Sequence, residues 1–364
     1  MFKATANPPS RFEEVHVEWD EEAPPAKLRV YEDASKSILA KNDSPDLPFT
    51  WSLNPYRGCS HSCIYCYARP SHEYLGWGAG TDFDTRILVK KDAPSLLKQA
   101  FEAASWQGEP ILFSGNTDCY QPLEYRLGLT RACLEVCLEY RNPVSLITKS
   151  NLVERDVALL VALHRAARVN VTVSIPYADP VLARAIEPGA PTPARRLRAV
   201  RTLAEAGIPV GVNVAPVIPG VNDREVPAVL KLAREAGARH AAMIMVRLPG
   251  SVAPYFEERL RAALPSRADG VLARIRRARG GRLNNAEFGA RMRGEGEEWE
   301  ATHQLFRVWH AKLGYAPHAW EEPPPTFRRP GQATQVGLFT PPRRPADPAP
   351  GSTAGRAARA REDR

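Results

Sequence analysis

The sequence predicts an α/β protein built on a partial parallel β/α barrel of six units. Two observations carry this. From Pro94 onward, short apolar runs rich in β-branched residues alternate with helical stretches about three turns long. Parallel neighbours need a crossover connection of this length, and such crossovers are right-handed. A third, the chain length of 364 residues with 44% hydrophobic content, allows a core large enough to fill a barrel. Periodicity alone fits a doubly wound open sheet equally well, because the local pattern is the same.

Residues 1–45 are polar, carry Pro8, Pro9, Pro24 and Pro25, and show little periodicity, so an irregular N-terminal arm is expected. Phe49–Leu53 is the expected first strand, leading into a cysteine cluster. Phe83–Lys90 alternates like a short strand. Ser95–Ser105 reads as a helix and Ile111–Ser114 as a buried strand. The rhythm then repeats: helix Leu127–Tyr140, strand Val144–Thr148, helix Leu152–Ala167, strand Val169–Ile175, helix Pro193–Ala206, strand Val210–Ile218, helix Val226–Ala236 and strand Ala241–Val246. Phe256–Ala278 is largely helical with an interruption near Pro265, since proline lacks the amide that a helix interior needs. These elements make 46–280 the core domain. Residues 281–320, with Phe288, Trp299, Phe306, Trp309 and Trp320, form an expected helical C-terminal extension. Residues 321–364 are rich in Pro, Gly, Ala and Arg and are expected to be disordered, being too poor in apolar surface to offset chain entropy.

Composition excludes several classes. No run of about 18 apolar residues is present, so no membrane association is expected, and residues 1–9 lack a signal-peptide core, which points to the cytoplasm. The net charge is +8, but in Pro323–Arg364 eight arginines against Asp347, Glu362 and Asp363 give that stretch +5 of it. The basic balance is therefore weak support for nucleic-acid binding by the folded part.

Six cysteines are present, and Cys59, Cys63 and Cys66 stand in a C-x3-C-x2-C spacing. This is a metal or redox pattern rather than a disulfide framework. Three thiolates so close can wrap one face of an iron–sulfur cube, leaving one iron without a protein ligand. A structural zinc site is the competing reading and needs a fourth ligand, for which His61 and His72 are the candidates. Cys133 and Cys137, at i and i+4 on one helix face, read as core.

Asn54-Pro55-Tyr56-Arg57-Gly58-Cys59 through Cys66-Tyr67, with an aromatic before the last cysteine, resembles the signature of radical S-adenosylmethionine (radical SAM) enzymes, and most closely their branch related to spore photoproduct lyase. The resemblance covers Asn54 to about Pro249 and implies the radical SAM type of barrel. It implies that Cys59, Cys63 and Cys66 hold a 4Fe–4S cluster, whose fourth iron takes the amino and carboxylate groups of S-adenosyl-L-methionine. It implies reductive cleavage of that cofactor to a 5′-deoxyadenosyl radical that abstracts hydrogen from a substrate, fed by a low-potential flavodoxin or ferredoxin.

The same resemblance assigns other residues. Ser114, Gly115, Asn116 and Thr117, after the second strand, would meet the methionine amino group. Lys149 would meet the carboxylate and Ser174 the ribose. Tyr65 and Tyr67 flank Cys66, where the lyase branch uses a tyrosine pair in hydrogen-atom relay. The lyase's hydrogen-donating cysteine has Gly115 near its place here, and Cys119, four residues on, is the nearest candidate. Arg196 and the run Arg274–Arg282 are candidate anion contacts.

Gln335-Val336-Gly337-Leu338-Phe339 resembles the peptide by which bacterial replication and repair proteins hold the DNA sliding clamp, so Gln335, Leu338 and Phe339 are candidate clamp contacts. The expected function is radical chemistry on an unidentified substrate, with nucleic acid and DNA repair favoured. The alternatives are the same chemistry on a protein or small molecule, and a non-catalytic iron–sulfur or zinc adaptor recruited to the clamp.

Overall fold

The computed structural model describes residues 7–8, 12, 27–317 and 325–331. In chain order, the strands are β1 (Arg29–Glu32), β2 (Leu39–Lys41), β3 (Trp51–Leu53), β4 (Tyr56–Arg57), β5 (Arg86–Val89), β6 (Ile111–Phe113), β7 (Val144–Thr148), β8 (Val169–Ser174), β9 (Val210–Val217) and β10 (His240–Met245). The helices are α1 (Thr81–Thr85), α2 (Ala93–Glu102), α3 (Glu124–Leu127), α4 (Leu129–Glu139), α5 (Val157–Ala166), α6 (Pro180–Ile186), α7 (Pro193–Glu205), α8 (Val226–Glu235), α9 (Val252–Ala263), α10 (Ala268–Arg277) and α11 (Glu297–Lys312).

The main sheet has the order β10-β9-β8-β7-β6-β3-β2. Its six strands from β3 to β10 are mutually parallel and in sequence order, while β2 is antiparallel to β3 at the edge. This is the expected partial barrel of six units. Ile111, Phe113, Leu146, Val171, Val173 and Val214 are wholly buried, as strands covered on both faces require. Helices α2, α4, α5, α7 and α8 cover the outside through their buried apolar stripes.

Several elements differ from the sequence expectation. The arm expected to be irregular holds β1 and β2. Strand β1 joins β5 and β4 in a separate three-stranded sheet, and strands of three or four residues are too short to show a period. Thr81–Thr85 is helical, so only the second half of the expected Phe83–Lys90 strand is extended, and the helical turn buries Phe83. The interruption expected near Pro265 is present, α9 ending at Ala263 and α10 starting at Ala268. In the C-terminal extension only α11 is helical among the described residues. The stretch before it is held by Arg279, whose guanidinium donates to the carbonyls of Val246 and Arg293 (both 2.7 Å). Elsewhere in the basic run, Arg274, Arg276 and Arg277 pair with Asp223, Glu257 and Glu298. No described helix is long and apolar enough to cross a membrane.

Part of the stretch assigned to the tail lies against the barrel. Phe327 meets the rings of Phe101 and Tyr140, the Arg328 amide donates to the Tyr140 carbonyl (3.0 Å), and Arg329 donates to the Phe101 carbonyl (3.0 Å). Gly108 leaves the room, because a Cβ there would stand 2.3 Å from that of Phe327. Phe327→Ala is expected to lower stability by about 2 kcal/mol, read by denaturant unfolding. A variant as stable as the parent would mean that this segment does not dock. Gln335, Leu338 and Phe339 lie outside the described residues.

Candidate cofactor and active site

The three clustered cysteines sit on the loop between β4 and a 3-10 turn at Arg69–Leu75. The loop is shaped from several sides. Gly58 enters it at φ +85°, and a Cβ there would meet Ile87 Cδ1 at 2.8 Å and the Phe83 carbonyl at 2.9 Å, so only glycine fits. The Cys59 amide donates to the Phe83 carbonyl (3.1 Å) and the Cys66 amide to the Cys63 carbonyl (3.2 Å). From the other half of the barrel, the Ile64 amide donates to the Ile186 carbonyl (3.1 Å) and the Gly189 amide to the His61 carbonyl (3.0 Å). A Cβ on Gly189 would lie 2.2 Å from the Ser60 carbonyl oxygen. Gly189→Ala must therefore push the cysteine loop away from α6. The expected result is at least a tenfold loss of iron retained after reconstitution, with the far-ultraviolet circular dichroism unchanged; full iron retention would show that the loop tolerates the shift.

Two buried side chains complete the frame. Arg69 donates through Nε and a terminal nitrogen to the Cys63 carbonyl (3.2 and 2.9 Å) and pairs with Asp84 (2.9 Å). Gln121 bridges to the loop after β6, donating to the Gly58 carbonyl (2.9 Å) and accepting from the Ser60 amide (3.2 Å).

Burial pushes the thiols of Cys59, Cys63 and Cys66 up, and Glu187 adds to the effect at Cys63, which reaches about 12. Three thiolates would form here only with strong positive charge bound directly to them. That donor set fits an iron–sulfur cluster, which spreads its cysteines over separate irons. Among the described residues, no three His, Cys, Asp or Glu side chains converge to grip a single ion. His61 Nδ1 faces Asp118 (3.4 Å), and His72 Nε2 is taken by the Arg86 carbonyl (2.9 Å), with burial holding His72 down at about 4.

Beside the cysteines, Asp118 gathers the ends of β6 and β7. Its carboxylate accepts from the Thr148 hydroxyl (2.7 Å), the Lys149 amide (2.7 Å) and the Tyr120 amide (2.9 Å). Burial alone would raise it, but the hydrogen bond and charge of His61 and these donors hold it at about 2. Asp118 thereby fixes Lys149, whose Nζ lies 4.0 Å from Glu187 and 5.7 Å from the Tyr65 ring. Glu187 is fully buried, pairs with Arg196 and accepts the Tyr65 hydroxyl. Burial would raise this carboxyl too, yet Arg196 and Lys149 pull it down.

The remaining expected residues divide. Ser114 takes φ +90°, rare for a side-chain-bearing residue, and its hydroxyl accepts the Cys119 amide (3.1 Å). Gly115 follows, with Ser52 Cβ only 3.0 Å from where its own Cβ would be, and its carbonyl accepts the Tyr67 hydroxyl (3.0 Å). Asn116 is exposed, whereas Thr117 is buried, donating to the Tyr56 carbonyl (2.8 Å) and accepting from the Asn54 amide (2.9 Å). Thr117 thus braces the cysteine loop. Ser174 is buried at the end of β8, where its carbonyl accepts from Arg196 (3.1 Å). Cys119 adjoins this group through Ser114, its amide donating to that hydroxyl. It is wholly buried, and burial together with the Asp118 charge pushes its thiol up. Arg196, read as an anion clamp, spends its charge on Glu187.

Next to Tyr67 lies a cavity of about 790 Å³, lined by Tyr67, Ser71, Tyr74, Asn116, Gly250 and Ser251 among others. The hydroxyls of Ser71 and Ser251 are buried there without a hydrogen-bond partner among the described residues. Sequence reasoning did not find Arg69 or Gln121 as site residues, and it read Asp118 only as the end of the polar run that starts at Ser114. Its signal is its place between the Gly115 turn and Cys119.

The sequence profile of the Radical SAM superfamily matches residues 53–233. An uncharacterized protein of Mycobacterium tuberculosis, Rv2578c, is 37% identical over 232 residues, 63% of this chain and 68% of that protein. An uncharacterized protein of Methanocaldococcus jannaschii, MJ0683, is 32% identical over 200 residues, 55% of this chain and 72% of that protein. Among solved structures, spore photoproduct lyase complexed with dinucleoside spore photoproduct is similar in fold, with a TM-score of 0.55 at 17% identity over 79% of this chain and 80% of that one.

Proposed function

The chain belongs to the radical SAM superfamily, and on that premise we propose that it is an enzyme which cleaves S-adenosyl-L-methionine reductively and abstracts hydrogen from a nucleic-acid substrate. The observation that carries the reading is the framed cysteine loop, with Lys149 and Tyr65 joined beside it through Glu187. When bound, the 4Fe–4S cluster supplies the electron that breaks the cofactor's carbon–sulfur bond to give a 5′-deoxyadenosyl radical.

The chain's own residues do the rest. Cys59, Cys63 and Cys66 would hold the cluster. Lys149, fixed through its amide by Asp118, presents a cation for the cofactor carboxylate, and Glu187 limits where that ammonium can go. Ser114, Gly115 and Asn116 offer backbone and amide groups to the methionine end, and Ser174 a hydroxyl to the ribose. Tyr67, anchored on Gly115, stands between the cysteine loop and the cavity, where a substrate hydrogen would be presented. A flavodoxin- or ferredoxin-type protein would deliver the electron. The nucleic-acid substrate is supported by the fold shared with spore photoproduct lyase. Gly115 in place of a thiol argues that the final hydrogen donor differs from the lyase's.

The experiment is anaerobic reconstitution with iron and sulfide, reduction by dithionite, and measurement of 5′-deoxyadenosine with and without single-stranded and ultraviolet-irradiated DNA. Product that rises with DNA supports the whole reading. Product indifferent to DNA keeps the chemistry and removes the nucleic-acid substrate. No product with a full cluster under every condition removes the enzyme reading.

A further inference from the structure

Arg247 follows β10, at the same end of the sheet as the cysteine loop. Its guanidinium carbon lies 5.6 Å from the centroid of the Tyr67 ring. Among the described residues it has no ion pair. Its Nε is buried without a hydrogen-bond partner, and a terminal nitrogen has only the Met292 sulfur at 4.0 Å. The nearby groups do not neutralise it. Arg291 adds a second positive charge but is engaged by Asp46, and Arg279 is spent on backbone carbonyls. Asp46, whose charge reaches Arg247, also accepts the Gly289 amide. Burial and the Arg291 charge both act against the Arg247 cation. A half-buried guanidinium kept in such surroundings, with Nε unpartnered and one terminal nitrogen facing only a thioether, is suited to an oxyanion, which would give it the charged acceptor it lacks.

We propose that Arg247 is an oxyanion-binding residue that fixes a phosphate or carboxylate group of the substrate above Tyr67. The ring of Tyr67 belongs both to the cavity and to the Arg247 contact, so an anion held there places the rest of the ligand against the cavity's tyrosines and the free hydroxyls of Ser71 and Ser251. The assignment rests on the proposed function only in calling that ligand the substrate.

The test titrates inorganic phosphate into the reconstituted holoprotein at low chloride by calorimetry, with the parent, Arg247→Ala and Arg247→Lys. The expected result is binding by the parent, at least tenfold weaker in Arg247→Ala and partly recovered in Arg247→Lys, which keeps the charge and loses the fork. Lysine also covers the case in which alanine disturbs folding, read by thermal melting. A phosphodiester dinucleotide and an acetylated dipeptide then compete for the same site, and the tighter one identifies the source of the oxyanion. Equal phosphate affinity in the parent and Arg247→Ala, or none in the parent, overturns the proposal. So does displacement of phosphate by S-adenosyl-L-methionine, which would make Arg247 a contact of the cofactor. A parent protein that binds phosphate through Arg247 but yields no 5′-deoxyadenosine leaves the oxyanion site standing and removes the radical reading instead.

Discussion

Cys63→Ala is expected to reduce 5′-deoxyadenosine formation to the protein-free background and to leave the reconstituted protein with little bound iron. Cys63 is the central cysteine of the three, and its carbonyl is also the acceptor for Arg69. Alanine removes the thiolate and leaves that carbonyl in place, so the loss belongs to the ligand and not to the frame. Cys137→Ala is the matched comparison. Cys137 is wholly buried on α4, and the substitution should cost some stability while iron content and cofactor cleavage remain. Iron retention and product formation by Cys63→Ala equal to those of the parent would remove the cysteine loop from the mechanism. If Cys137→Ala lost iron as completely as Cys63→Ala, general unfolding would explain both.

Arg69→Met is expected to be the most destabilising single change near the site, by about 3–5 kcal/mol. Arg69 is wholly buried, and it serves the Cys63, Ala79 and Gly80 carbonyls as well as Asp84. It also lies over the Tyr255 ring, with the guanidinium carbon 4.2 Å from the centroid. Removing it strands the Asp84 carboxylate, which burial already pushes up. The cost should appear in urea unfolding and as a cluster more easily lost to a chelator. The double variant Arg69→Met with Asp84→Asn should recover part of the stability by removing the stranded charge, but not the hold on the Cys63 carbonyl. Stability would then return further than cluster retention. If both returned together, Arg69 would act on the cluster only through global stability.

The barrel was legible because its strands are continuous β-branched runs flanked by amphipathic helices. Val144–Thr148 was read to the residue, and the other four strands from β6 to β10 to within about one residue at each end. The three cysteines were legible because their spacing is local. What stayed hidden is non-local or short. Strand β1 pairs with β5 across more than fifty residues, Arg69 reads as one more charged residue after a cysteine, and Gln121 and Gly189 matter only through what they touch. Phe327 gave no periodic signal at all. Lys149 was found from the sequence, but Asp118 and Glu187, which set its position, act through contacts that no spacing encodes.

The clamp of residues 186–189 on the cysteine loop would also order events during synthesis. The loop takes its shape only when Ile186 and Gly189 are in place, more than a hundred residues after Ile64. A nascent chain that has just exposed its cysteines has no frame for them. Iron and sulfide delivered at that stage would meet free thiols on an unformed barrel, whereas a chain emerged past α6 offers a ready socket. Insertion of a cluster held by these cysteines would thus follow completion of the first four parallel strands, and fragments ending before Gly189 are expected to bind iron without the cluster's absorption spectrum.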